Sequence, residues 1–264
     1  MRVGVKVYDL DWYGRWGLSA AQLARLLQNW GIDFVLTQSQ RMPMADSAVR
    51  SSVPAAQRER LSCYDERATR EALGAAGIGF WPTLCTFFEP AALTSHPELR
   101  PVSAEGRPMG QTDWYVGLVP GDAGWLERQC ERVAQTTAAL QPDGVFLSFC
   151  RWPGFWELWT PQFERSAAAD YSYDAGTLDR FVAETGAALP SREPREAAGW
   201  IAAHAREAWT RWKCGVIVET VRALGAAARG GQPSAQVMVN TLPFAPRDWA
   251  DARTEVFGQD VDAL

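Results

Sequence analysis

The sequence predicts an α/β protein with a parallel sheet. Short apolar segments rich in β-formers alternate along the chain with amphipathic helical segments, which is the pattern of repeated βα units. The 264 residues are enough for one domain with a large core. Hydrophobic residues make up 47% and charged residues 22% of the chain, as in ordinary globular proteins. We therefore predict a single domain over residues 1–264.

Five strands are predicted from the apolar runs and from the turn residues that bound them. In chain order they are Val3–Tyr8, Phe34–Gln38, Gly79–Cys85, Val145–Cys150 and Gln236–Thr241. Helices are predicted after the N-cap candidate Ser19, over Tyr64–Ala76, Asp122–Leu140 and Arg195–Arg229 (with one break), and again near Gln259. Two long loops, 86–122 and 151–191, follow the third and fourth strands. Expanded loops at the carboxyl ends of strands are typical of functional sites in α/β barrels.

Five parallel strands cannot close an eight-stranded barrel. The residues alone thus leave two architectures open, a (β/α)8 barrel truncated after about five strands or an open doubly wound sheet. In either case the first and fifth strands are sheet edges, and open edges invite pairing. We expect them to be covered by a partner chain, by an oligomer contact or by a further segment.

Composition argues against several classes of protein. The formal net charge is -5, and Lys and Arg are scattered, so nucleic acid and anionic membranes are poor partners. The N-terminus begins a strand and no apolar run is long enough to span a bilayer, so we expect a cytoplasmic protein. Five cysteines without a CxxC pair and only two histidines argue against disulfides, a metal site and metal catalysis. No cofactor is expected.

The chain is rich in tryptophan, with 13 residues. Most single tryptophans fill cores or fasten loops. Indole rings that gather at strand ends would instead offer flat faces on which sugar rings stack. Both interpretations stay open at this stage.

Carboxylates, amides, aromatics and one arginine follow the strands. The most informative are Asp9, Asp11, Trp12 and Trp16 after the first strand, Gln38 at the end of the second, Ser148, Arg151, Trp152, Trp156 and Glu157 from the end of the fourth, and Asn240 after the fifth. Glycoside hydrolysis requires two carboxyl groups, while amides and arginine bind hydroxyls. The aspartates could equally cap a turn, and Glu157 could be a solvated loop charge. A buried Arg151 would need a carboxylate or a ligand.

One stretch is more specific. The segment PDGVFLSFCRWPGFWELW, Pro142 to Trp159, resembles the fourth-strand motif of glycoside-hydrolase-like TIM-barrel proteins, in which Asp-Gly opens a strand that ends in Asp and is followed by Arg-aromatic-Pro. Further stretches are similar to the same group: HPELRPVSAEGRP (96–108), FVAETGAALP (181–190), WTRWKCGVIVETV (209–221) and GQDV (258–261). The resemblance implies a (β/α)8 barrel that acts on or binds a carbohydrate.

The chain departs from this motif at one decisive position. Ser148 stands where the related barrels place the carboxylate of the fourth strand, and serine is a poor nucleophile without a base. Three explanations remain: a binding protein without hydrolase activity, catalytic carboxylates elsewhere (Glu157 and Asp9), or a substitution of the native residue. We predict Glu157, Asp9 and the Ser148 position as the catalytic set.

The substrate-binding set predicted from the same strand ends comprises Asp11, Trp12, Trp16, Gln38, Arg151, Trp152, Trp156 and Asn240. The leading hypothesis is a glycoside hydrolase or a relative of one. A non-catalytic carbohydrate-binding barrel is the alternative that Ser148 favours, and an α/β interaction module whose tryptophans face a partner is a third.

Overall fold

The structure of the chain is a computed structural model that describes residues 1–7, 10–42, 53–160, 162–245 and 247–264. It divides into two compact units. The first, here called the sheet unit, consists of Met1–Cys85, Glu127–Ser148 and Ala223–Asn240. The second, the loop unit, consists of Thr86–Leu126, Phe149–Arg222 and Thr241–Leu264, which are the segments that follow the third, fourth and fifth strands. The assignment of one domain to residues 1–264 stays a prediction.

The sheet unit contains five parallel strands in sequential order. They are β1 (Gly4–Val7), β2 (Phe34–Gln38), β3 (Gly79–Cys85), β4 (Gly144–Ser148) and β5 (Gln236–Val239), each paired with the strand before it in the sequence. In a doubly wound sheet the strand order reverses at a switch point, whereas the order of these five strands runs in one direction across the sheet. The sheet is therefore of the (β/α)8-barrel type with five of its strands, as the sequence predicts.

Helices separate the strands. They are α1 (Asp11–Gly14), α2 (Ala20–Asn29), α3 (Ala55–Ser62), α4 (Glu66–Ala75), α5 (Ala92–Ser95), α6 (Ala123–Leu140), α7 (Ala175–Thr185), α8 (Pro194–His204), α9 (Arg206–Gly231) and α10 (Ala252–Glu255). Short 3-10 turns lie at Pro97–Leu99, Trp156–Leu158 and Arg165–Ala167. No helix in the described ranges is both long and apolar enough to cross a membrane.

Local chemistry explains two helix starts, and one predicted helix was wrong. The Ser19 hydroxyl accepts from the Gln22 amide while the Gln22 side chain accepts from the Ser19 amide, which is a complete capping box. The Asp65 carboxylate caps α4 by accepting from Ala68. The helix expected near Gln259 is absent, because the preceding Gly258 takes a left-handed φ of 64° after α10 has ended at Glu255; the buried Gln259 side chain accepts from Leu242 and donates to Cys150.

The two faces of the sheet carry different cores. Val5, Val35 and Phe80 face one side and pack against helix residues such as Leu27 and Leu73. On the opposite face a smaller cluster joins Phe34, Leu36, Trp81, Phe146 and Met238.

The second face is concave. The Lys6 ammonium on β1 lies 4.9 Å from the ring centre of Phe146 on β4, although two strands separate them. Glycine is required at two positions here, since a Cβ on Gly4 would overlap the Phe34 ring and one on Gly144 would overlap Trp81. The curvature agrees with the barrel type, in which alternate residues point inward.

The loop unit has its own core and a buried cation. Lys213 of α9 is completely buried, and its ammonium donates to the Asp170 carboxylate at 3.1 Å, the Ser172 hydroxyl at 2.9 Å and the Glu255 carbonyl at 3.0 Å. The same ammonium lies 5.3 Å from the ring centre of Trp152. All three N–H donors thus have acceptors, as burial of a charge requires.

Candidate functional site

Three of the predicted residues lie at the carboxyl end of the sheet. Gln38 ends β2 and is in register with Thr83, while Ser148 ends β4 and is in register with Cys85. Alternation along the strands places Gln38, Thr83 and Ser148 on the concave face. Asn240 follows β5, and its amide donates to the carbonyl of Leu147 on β4.

At this end of the concave face some buried side-chain atoms form no hydrogen bond among the described residues. Within the described part of the chain, the buried Gln38 Nε2 and the buried Thr83 Oγ1 have no hydrogen-bond partner. Buried polar groups are almost always paired in folded proteins. Two such neighbouring groups at strand ends are therefore suited to a hydroxylated ligand.

The residues after β1 divide into a buried and an exposed set. Trp12 is 1% exposed and packs edge-on against Tyr64, with ring centres 5.5 Å apart. Its ring therefore fills the core and offers no face to a sugar, contrary to the sequence-based assignment. Trp16 is 59% exposed, and it lines a cavity of about 280 Å³ along β1 together with Asp11 and Trp30. Asp9 lies outside the described residues.

Arg151 is the charged centre of the loop unit. Its side chain is 5% exposed, and Nη1 donates to the Gly154 carbonyl at 2.6 Å. Nη2 lies 3.9 Å from the Glu157 carboxylate, whose side chain is 31% exposed. The guanidinium also lies 5.2 to 5.7 Å from the ring centres of Phe257, Tyr115 and Phe149. The need for a partner that the sequence indicated is met by this carbonyl, the carboxylate and three aromatic faces.

Aromatic rings surround Arg151 in one contiguous group. This ring cluster consists of Phe88, Trp114, Tyr115, Phe149 and Phe155, with centre-to-centre distances between 4.7 and 6.0 Å. Trp114 is 41% exposed and meets Phe149 and Phe155 edge-on, so part of its ring faces solvent. Sequence reasoning missed Trp114 and Phe155. The Trp-Tyr pair within the long loop 86–122 was the available signal.

Phe149 holds an unusual backbone position in this cluster. It follows β4 with φ of 52°, in the left-handed region that bulky residues rarely adopt. Such conformations cost roughly 1–3 kcal/mol and concentrate at functional sites. The turn after β4 is further fixed by Tyr115, whose buried hydroxyl accepts from the Gly154 amide at 3.4 Å. Burial raises the pKa of this hydroxyl, and Arg151 opposes the rise. Tyr115 therefore stays protonated and acts as a fixed support.

Two predicted tryptophans of the same segment differ in their surroundings. Trp152 has no exposed surface, and its Nε1 donates to the Lys213 carbonyl at 3.1 Å. This hydrogen bond joins two segments of the loop unit. The stacking role assigned from the sequence does not fit, because a ring with no exposed surface has no face available to a sugar. Trp156 is half-buried and meets Phe244 edge-on at 5.6 Å.

No pattern in the sequence indicates a buried acid at the start of α4. Glu66 is 7% exposed, and burial raises the pKa of its carboxyl above the ordinary value, an effect that a hydrogen bond from Ser39 and the charge of Arg41 oppose. An acid in the first turn of a helix is unremarkable in a sequence. Its burial is a property of the tertiary structure alone.

The structure thus gathers the predicted residues into three groups. In the sheet unit, Gln38 and Ser148 share the concave face, and Asp11 and Trp16 share the cavity along β1. In the loop unit, Arg151 and Glu157 lie together beside the ring cluster.

Comparison with known proteins gives matches in structure but not in sequence. No protein-family model matches the chain, and no curated protein shows significant similarity to it. The glycoside hydrolase domain of PgaB (BpsB) from Bordetella bronchiseptica superposes with a TM-score of 0.61 at 17% identity, over 99% of this chain and 70% of that domain.

Two larger enzymes have a similar fold. Alpha-L-fucosidase isoenzyme 2 from Paenibacillus thiaminolyticus matches with a TM-score of 0.54 at 15% identity, over 94% of this chain. The beta-galactosidase from Halorubrum lacusprofundi matches with 0.54 at 14% identity, over 97% of this chain. The chain spans only 34% and 39% of these two proteins. At such identities the matches establish the fold.

Proposed function

We propose that this chain binds a glycan, and that the ring cluster with Arg151 and Glu157 is a contact site. One observation carries the proposal: the part-exposed Trp114 ring lies in the same cluster as a guanidinium and a part-exposed carboxylate. A sugar presents C–H groups on one side of its ring and hydroxyls around its edge. A flat indole suits the first, and charged acceptors and donors suit the second.

The fold is consistent with this proposal. Proteins with a similar fold carry the names glycoside hydrolase, fucosidase and beta-galactosidase. Barrels of this type build their sites from the loops after the strands, and the segments of the loop unit follow strands in that way. We extend the proposal to the remaining strand-end groups predicted to bind hydroxyls or stack, namely Asp11, Trp16, Gln38, Trp156 and Asn240. We also propose a cytoplasmic location.

Hydrolysis is the second candidate function, and the Arg151–Glu157 pair favours it. Arg151 keeps the Glu157 carboxyl at 3.9 Å while part of that side chain faces solvent, so Glu157 is accessible to a glycosidic oxygen. In this scheme Glu157 acts as general acid/base and Asp9 is the second carboxylate. Ser148 would not form the glycosyl ester, because an unactivated hydroxyl is a poor nucleophile.

Binding is tested by calorimetric titration of oligosaccharides against the wild type and Trp114→Ala. Loss of a central aromatic contact commonly costs more than 1 kcal/mol, so we expect affinity to fall about tenfold. Trp200→Ala is the matched control, since Trp200 is half-buried on α8 beside His204, outside the ring cluster and outside the other groups proposed to bind. Equal affinities for the wild type and Trp114→Ala would refute the assignment of the site. Failure of every glycan to bind would refute the function.

Hydrolysis is tested with aryl glycosides and two variants. If Glu157 is the acid/base, Glu157→Gln abolishes an existing turnover while glycan affinity changes little. If instead Ser148→Asp creates turnover in an inactive wild type, the fourth-strand position is the nucleophile site and the natural chain is a binder. Wild-type turnover that survives Glu157→Gln would exclude Glu157 from the chemistry.

A further inference from the structure

A second group of aromatic rings lies beside Arg151 in the loop unit. Phe257 brings this group to the arginine, because its ring centre lies 5.2 Å from the guanidinium. The same guanidinium lies 5.6 Å from the ring centre of Tyr115 in the ring cluster, so Arg151 joins the two groups. The second ring group has contacting ring centres 4.7 to 6.2 Å apart and consists of Trp156, Trp159, Phe163, Phe244, Trp249 and Phe257.

The segment that carries Glu157 contributes to both groups of rings. Phe155 belongs to the ring cluster, and the next residue, Trp156, belongs to the second ring group. Glu157 follows, and its carboxylate lies 3.9 Å from the Arg151 guanidinium. Three consecutive residues thus place a part-exposed carboxylate at the junction of the two groups.

Two indoles of the second ring group keep surface for a ligand. The ring of Trp159 is within 12° of parallel to those of Phe163 and Phe244, so it packs inside the group. Trp156 and Trp249 are half-buried and meet their neighbouring rings at angles of 57° to 85°. In the part of the chain that the structure describes, neither has another ring stacked on its face. Each therefore has indole surface that can stack on a sugar ring.

The backbone that presents Trp249 is strained. Trp249, Ala250 and Asp251 adopt left-handed φ angles of 47° to 56° in succession. Residues with a Cβ rarely take this conformation, and then as single residues. The Trp249 indole helps to hold the turn, since it donates to the Phe163 carbonyl at 2.9 Å. Strained backbone of this kind concentrates at ligand-binding sites.

The exposed charge at the junction is negative. The Arg151 side chain is 5% exposed, whereas that of Glu157 is 31% exposed. An acidic sugar brought against Glu157 would meet a like charge, but an uncharged sugar can donate a hydroxyl hydrogen to the carboxylate. The junction therefore favours an uncharged ligand.

We propose that the ligand is an uncharged oligosaccharide that spans both ring groups, with one sugar on Trp114, another on Trp156 and Trp249, and a hydroxyl donated to Glu157 between them. The inference rests on the glycan binding proposed above and adds the length and charge of the ligand. A single sugar ring is no larger than an indole, so contact with both groups requires a chain of sugars. Linked contacts add to the binding free energy, so affinity should rise with chain length until both groups are occupied.

Calorimetric titration of oligosaccharides of one to six units tests the length and the charge. The panel contains glucose, mannose and N-acetylglucosamine series, together with a galacturonic acid series. The hexamer of a series that binds should bind at least tenfold more tightly than its monomer. The tightest ligand of the panel should be uncharged.

Two variants test the second ring group. Trp156→Ala and Trp249→Ala should each weaken hexamer binding about tenfold, because loss of a central aromatic contact commonly costs that much. Trp200→Ala is the control and should bind as the wild type does, since Trp200 is half-buried outside both ring groups. Circular dichroism verifies that the variants fold. Trp156→Ala leaves the left-handed turn intact, so the test stands even if Trp249→Ala misfolds.

The possible failures are distinguishable. Equal affinities for monomer and hexamer would overturn the two-group ligand and leave glycan binding intact. Hexamer binding that Trp156→Ala does not weaken would do the same, as would a tightest ligand that is acidic. Failure of every glycan to bind would overturn the proposed function and this inference together.

Discussion

Replacing Lys213 by Met should destabilise the chain by about 3–5 kcal/mol. The side chain is completely buried, and its ammonium donates three hydrogen bonds at 2.9 to 3.1 Å. Each bond to a charged group contributes about 1.5–3 kcal/mol. Removal of the ammonium also relieves a desolvation cost of several kcal/mol, but Asp170 keeps its charge and loses its cationic partner. Breaking a buried pair from one side leaves a net loss in the stated range.

Urea unfolding followed by circular dichroism measures this loss, and Arg211→Met is the matched control. Arg211 lies two residues away on the same helix and pairs with Glu207 at 3.7 Å, with both side chains more than three-quarters exposed. Exposed helix pairs contribute about 0.3–0.5 kcal/mol. The unfolding midpoint of Lys213→Met should fall far below that of the control. Equal midpoints for Lys213→Met and Arg211→Met would refute the reasoning that burial decides the contribution of this cation.

Three further predictions address other parts of the fold. Burial raises the pKa of the Glu66 carboxyl above 4.5, so the folded chain binds its proton more tightly than the unfolded chain does. The wild type therefore loses stability as the pH rises from about 4.5 through the raised pKa. Glu66→Gln should gain stability relative to the wild type from about pH 4.5 upward, as measured by urea titrations at several pH values. Gly144→Ala should cost about 1–3 kcal/mol in the same assay, because its Cβ would overlap the Trp81 ring, and unchanged stability would contradict the packing described. Ser19→Ala should lower the thermal midpoint by an amount equivalent to about 1 kcal/mol, because the capping box with Gln22 is lost.

Strand positions were predictable because they depend on local patterns. β2 and β3 have the predicted bounds, since each is an apolar run that follows a glycine or aspartate turn. The long C-terminal helix divides once, with Ala205 between α8 and α9, as the sequence predicts. The helix near Gln259 was wrong because Gly258 takes a left-handed φ of 64° just before it. The Gln259 side chain bonds residues 17 and 109 positions away, and nothing local in the sequence reveals such partners.

The need of a buried Arg151 for a partner was predictable from the sequence, whereas the members of the ring cluster were not. Arg151 was identified because a guanidinium at the end of a buried strand needs a partner, and Glu157 because it is a carboxylate in the same strand-end segment. The burial of Trp152 could not be predicted from the sequence, because its indole donates to a carbonyl 61 residues away. Trp114 was missed because its contacts with Phe149 and Phe155 join two separate loops.

The uneven exposure of the tryptophans determines what an optical experiment on this chain can detect. Trp16, Trp30 and Trp114 are exposed to water over part of their surface, whereas Trp12 and Trp152 are enclosed. Indoles in contact with water emit at longer wavelengths and are reached by acrylamide, and enclosed ones are not. A sugar resting on Trp114 would therefore shift only the red side of the emission band. Subtracting the spectrum of Trp114→Ala would isolate that contribution from the constant background of the enclosed rings.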